Sequence, residues 1–145
     1  MTLDNLVGNT LERIEPDPAI IRRLLEAAER NRADARVEAV SQENRFDAAY
    51  KAIMQLANAA LQANGFRTLT SRPGHHMTML QSLTRTIGLE RERMIVLDTL
   101  RKQRNVSDYA GDPVSESALT DCITAADALH KDVMASLRSN HPEWI

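Results

Sequence analysis

From residue 119 onward the chain repeats one pattern without interruption: Leu119, Cys122, Ile123, Ala126, Leu129, Val133 and Leu137 fall three or four positions apart. That spacing matches 3.6 residues per turn and lays all seven side chains along one face of a helix. A strand would scatter them over both faces. Four further stretches carry the same period, and no alternating run of β-branched residues or Asn-Gly hairpin signal interrupts them. The expected fold is all-α, an up-and-down bundle of about five helices.

Helix boundaries follow from local chemistry. Pro16-Asp17-Pro18 is a helix start, with Asp17 as the cap and Pro18 in the first turn, and it opens a first helix that runs into the low thirties. Ile21, Leu24, Leu25 and Ala28 form its apolar face. The second helix is expected from Ser41, its N-cap, to Asn64, closed by Gly65 in a left-handed stop. Phe46, Tyr50, Ile53, Ala57, Ala60 and Leu61 keep the period there, and the alanines admit a close neighbour. Residues 66–73 read as a connecting loop with Arg67 and Arg72. A third helix runs from about Gly74 to Ile87, with Met79, Leu80, Leu83 and Ile87 inside. The fourth runs from Glu90 to Arg104 or a little beyond, and the fifth starts at Ser115. Short links make helices 3, 4 and 5 antiparallel neighbours. Residues 1–16 lack periodicity and read as an arm that is loose or packs on a partner.

At 145 residues the chain suits one domain, 1–145. Aromatic residues are only 3%, so the core must come from Leu, Ile, Val, Met and Ala. A net charge of −2 excludes a globally basic nucleic-acid binder and leaves room only for a local cationic patch. Cys122 is the sole cysteine, which excludes an internal disulfide and a thiolate metal cluster, and its place on an apolar row makes it a core residue. No basic-then-apolar leader and no membrane-length run is present, so a cytoplasmic location without membrane attachment is expected.

The fourth helix carries the residues that point to chemistry. Leu97 and Leu100 lie on one face, and the next position on that row is Arg104, followed by Asn105 and, further on, Tyr109. Guanidinium, amide and phenol at one helix end make either a phosphate site or a structural clamp that ties the helix down. The reading that brings Arg104 and Tyr109 together has the last turn loosen before Gly111. Glu43 and Asp47, four apart at the start of the second helix, either orient Arg104 or interact with their own helix N-terminus. Arg91, Arg93, Arg101, Lys102 and Arg104 form a cationic run, of which Arg101 and Lys102 are candidate RNA contacts. His75 and His76 are adjacent and point about 100° apart on a helix, a poor arrangement for one ion. No metal and no cofactor is expected. The shortage of aromatic residues argues against sequence-specific RNA recognition through stacking.

Three segments together resemble the HEPN superfamily. They are Arg104-Asn105-Val106-Ser107-Asp108-Tyr109, the small-residue helix from Asp47 that ends in Asn64-Gly65-Phe66, and Pro73-Gly74-His75-His76-Met77. The resemblance covers roughly residues 41–138 and departs from the family at one point, where Tyr109 stands in the place of the motif histidine. It implies an all-helical domain that dimerises and acts on RNA as a metal-independent endoribonuclease. Such proteins are often the toxin of a pair with a nucleotidyltransferase antitoxin. On that resemblance Arg104, Asn105 and Tyr109 are the catalytic candidates. The alternative it leaves open is a non-catalytic helical module that partners a nucleotidyltransferase or another RNA-associated effector.

Overall fold

Among the described residues of the computed structural model, 2–71 and 73–145 with the side chains of Asp108 and Tyr109 set aside, five α-helices surround one apolar core. They are α1 (Pro18–Asp34), α2 (Gln42–Ala63), α3 (His75–Thr86), α4 (Arg91–Ala110) and α5 (Glu116–Asn140). The all-α expectation holds. No helix among the described residues is long and apolar enough to cross a membrane.

The organising element is α2. It packs against α1, α5, α3 and α4, which requires that it be small as well as apolar. Ala49, Ala52, Ala57, Ala59 and Ala60 are all buried and let those backbones approach, while Phe46, Ile53, Leu56 and Leu61 fill the space between. Ser41 caps the start by accepting from Asn44 N at 3.2 Å. At the other end Asn64 donates to the Ala60 carbonyl at 2.8 Å, and Gly65, at φ +89°, turns the chain out of the helix.

The expected caps of α1 and α5 are also present. Asp17 accepts from Ala19 N at 2.9 Å, and Ser115 accepts from Ala118 N at 3.0 Å. The apolar row of α5 is buried except at Ile123, and Cys122 lies fully inside it. Burial pushes that thiol up to about 12, which makes it inert core. Arg32 of α1 and Arg36 just beyond its end both reach Asp127 and tie this edge to α5.

Three expectations are corrected. The first is that the chain has no strands: Leu11–Arg13 (β1) and Phe66–Thr68 (β2) pair antiparallel, Leu11 opposite Thr68 and Arg13 opposite Phe66. Each strand has only three residues, too few to show alternation, and each forms only because the other is there. The pairing anchors the supposed loose arm, since Leu11 is fully buried and the Arg13 guanidinium sits over the Phe66 ring, 5.4 Å from its centroid. It also converts the first residues of the supposed loop after α2 into structure; Arg72, placed in the same loop, lies outside the described residues.

The second correction concerns α4, which continues six residues past Arg104, regular to Ala110, and closes on Gly111 at φ +71°. The last turn does not loosen, and the Tyr109 side chain lies outside the described residues. The third concerns packing. Helix α4 leans on α3 and α2, while α4 and α5 form the walls of an open cleft of about 520 Å³ lined by Ile95, Val96, Leu100, Ala125 and Ala128.

Candidate functional site

The site begins on α2, where Asp47, Tyr50, Lys51, Met54 and Asn58 are spaced three or four apart and share a side of the helix. Against that side come the last half of α4, the first turn of α3 and strand β2. Together they enclose a pocket of about 470 Å³ whose walls include Arg104, His75, His76, Arg67 and Thr68. Lys51, Arg67 and Arg104 face one carboxylate, Asp47, among the lining residues. A chain of net charge −2 thus carries a locally cationic pocket.

Arg104 is held from two directions. Its Nε lies 3.4 Å from Asp47 Oδ1, and its guanidinium sits 5.6 Å from the centroid of the Tyr50 ring. About a quarter of the side chain is exposed, toward the pocket. Arg104 therefore combines both readings of its sequence position: it clamps α4 to α2, and it borders a cavity large enough for a ligand.

Tyr50 is 2% exposed, and burial is the main reason its phenol is pushed up to about 12, against the opposing pull of Arg104 and Arg101. It stays protonated at any physiological pH. Its hydroxyl lies 3.1 Å from His76 Nδ1, so phenol and imidazole share a proton. Burial lowers the pKa of His76 below its ordinary 6.5, helped by His75, Arg104 and Arg101. The imidazole is thus neutral near pH 7, beside a guanidinium. His75 completes the wall, its ring edge-on to His76 with centroids 4.6 Å apart.

The sequence candidates divide in this geometry. Asp47 and Arg104 meet. Glu43 does not join them: its Oε1 accepts from Val114 N at 3.3 Å and ties the start of α2 to the chain entering α5. One further turn of helix separates Glu43 from Asp47 and carries it out of reach of Arg104. Arg101 donates to Asp98 at 2.7 Å, which holds that carboxyl below its usual range, and its charge reaches Tyr50 and His76. Lys102 shares Asp98 at 3.6 Å and lines a different cavity, of about 340 Å³, with Phe46 and Val114. Asn105 is half-buried beside Arg104 and is not among the residues lining the pocket. The run of cations on α4 is therefore largely paired, Arg93 with Asp132 of α5 included, rather than a free stripe.

Two site residues escaped the sequence reading. Tyr50 was legible as core and is core, but its hydroxyl end meets His76 in the pocket wall. His76 lies 28 positions before Arg104 and reaches it only because α3 starts against α2. The chain matches no protein-family model and no curated protein.

Proposed function

We propose that this domain is a HEPN-like, metal-independent endoribonuclease of the toxin–antitoxin or defence type, with Arg104 and His76 at the centre of its site. The observation that carries the reading is a carboxylate-anchored arginine in the same pocket as a histidine whose pKa is held below 6.5. Cleavage of RNA without a metal needs a cation for the charge that grows on the phosphorus oxygens and a base that is free near neutrality. Both are present. In the resembling family the base is the motif histidine; here Tyr109 occupies that place, and His76 supplies an imidazole from another helix.

The chemistry follows from the hydrogen bonds. With Nδ1–H donating to the Tyr50 oxygen, His76 Nε2 carries the lone pair that takes the proton of a ribose 2′-hydroxyl. The 2′-oxygen forms its bond to phosphorus as the bond to the 5′-oxygen breaks. Arg104 stabilises the phosphorane oxygens, and the departing 5′-oxygen takes its proton from solvent. The products are a 2′,3′-cyclic phosphate and a free 5′-hydroxyl. Asp47 keeps the guanidinium aimed, and Arg101 adds to the field without entering the pocket. On this reading the protein works in the cytoplasm as a homodimer. Ile95, Val96 and Val106 of α4, each about half exposed, supply apolar surface for a second copy or for a nucleotidyltransferase antitoxin.

The test is incubation of purified protein with total RNA in EDTA. Degradation with cyclic-phosphate ends is expected, and Arg104→Ala abolishes it while the helical circular-dichroism signal stays intact. An Arg104→Ala protein that still degrades RNA overturns the assignment. A wild-type protein that binds RNA but leaves it whole supports the non-catalytic module instead.

A further inference from the structure

The pocket extends well beyond the phosphate end. Its lining on α2 runs from Asp47 to Gln62, which is about 22 Å of helix at 1.5 Å per residue, more than one nucleotide occupies. Past Lys51 that wall carries three amides, Gln55, Asn58 and Gln62, on an otherwise apolar stretch of helix. Gln62 Nε2 donates to Asn58 Oδ1 at 3.0 Å, and Gln55 Oε1 accepts from Asn31 at 2.8 Å. The Asn58 amino group and the Gln62 carbonyl, on residues four apart, have no protein partner among the described residues. Reversing both amides exchanges the two roles and still leaves one donor and one acceptor.

We infer that this amide pair is the subsite for an adenine base of single-stranded RNA, an inference that rests on the RNA reading of the Arg104 end. Adenine presents an amino donor and a ring-nitrogen acceptor on both its Hoogsteen and its Watson–Crick edge, the pair an Asn or Gln amide matches, whereas guanine offers a donor beside an acceptor on its Watson–Crick edge alone. Cytosine and uracil each offer a similar pair, but the larger purine covers more of the apolar floor formed by Met54 and Met79. Across the pocket Arg67, exposed and paired with Glu12, stands where a neighbouring phosphate passes. Scarcity of aromatic residues excludes recognition by stacking alone, and the amides supply another route to it.

The experiment measures anisotropy of fluorescein-labelled, 2′-O-methyl 12-mers of A, C and U, which cannot be cleaved. Wild-type protein is expected to bind oligo(A) at least tenfold more tightly than the other two. Asn58→Asp, which replaces a donor with an acceptor, brings oligo(A) down to their level. Gln62→Met serves as a second variant with the same expected loss. Equal affinity of wild type for all three oligomers, or a preference for A that survives both variants, overturns the adenine subsite and leaves the RNA reading standing. Failure to bind any oligomer, with no degradation of total RNA, overturns both.

Discussion

Helices α2 and α4 face each other across the pocket and are built on opposite plans. More than half of α2 is buried, twelve of its 22 residues, so its sequence is dictated almost wholly by packing. In α4 Leu97 and Leu100 are the buried apolar residues among those described, while Ile95, Val96 and Val106 stand half exposed. A rigid wall thus fixes Asp47 and Tyr50, and a lightly anchored helix brings Arg104 to them. The contrast places stability on one side of the site and charge on the other, and substitutions should separate the two.

The largest effect is expected in the wall. Ile53→Ala empties a fully buried position and should cost about 2–5 kcal/mol in chemical denaturation; a loss under 1 kcal/mol would mean that α2 is not the rigid partner. His76→Ala should come next, slowing RNA cleavage by about 100-fold or more with little change in the melting transition. The same histidine sets a pH dependence. Its folded pKa lies below the unfolded 6.5, so the unfolded chain takes up the proton first as pH falls. Stability contributed at this position is therefore complete above about pH 6.5 and declines below it, as does activity, since the base must be neutral. His130, also lowered by burial, adds to stability with the same sign. His76→Phe should flatten part of that decline; an unchanged slope between pH 5 and 7 would show that His76 is not the titrating group.

Smaller effects distinguish the two carboxylates and the two faces of α4. Glu43→Ala should lower stability by about 1 kcal/mol through the lost contact to Val114 N and leave cleavage unaltered, whereas Asp47→Ala should impair cleavage. Equal loss of activity in both would return Glu43 to the site. Ile95→Ser, on the exposed side, should shift stability by no more than about 0.5 kcal/mol. A much larger shift that depends on protein concentration would reveal that a second copy covers this face.

The helices were legible because each is long enough to display its period and carries its own caps, as Asp17, Ser41 and Ser115 show. The strands were not, because three residues cannot establish a period and their pairing joins residues 53 to 57 positions apart. The site was half legible. Arg104 betrayed itself by interrupting an apolar row, and Asp47 by standing four residues after Glu43 at the start of the second helix. Nothing local to His76 distinguishes it from His75. Only the approach of α3 to α2 gives one imidazole a buried phenol and a nearby guanidinium. Glu43 and Asp47 looked equivalent because i and i+4 share a face, but the partners of that face change within a single turn.

The small sheet makes the chain's opening residues custodians of a place they never touch. Leu11 to Arg13 hold Phe66 to Thr68 by backbone hydrogen bonds, and Arg67 and Thr68 form the far side of the pocket. Clipping the first fourteen residues would leave Arg104, His76 and all five helices in the sequence, yet it would let go of the strand that forms the far side of the pocket. On the RNA reading, affinity and stability should then fall together, because Leu11 is fully buried in the core.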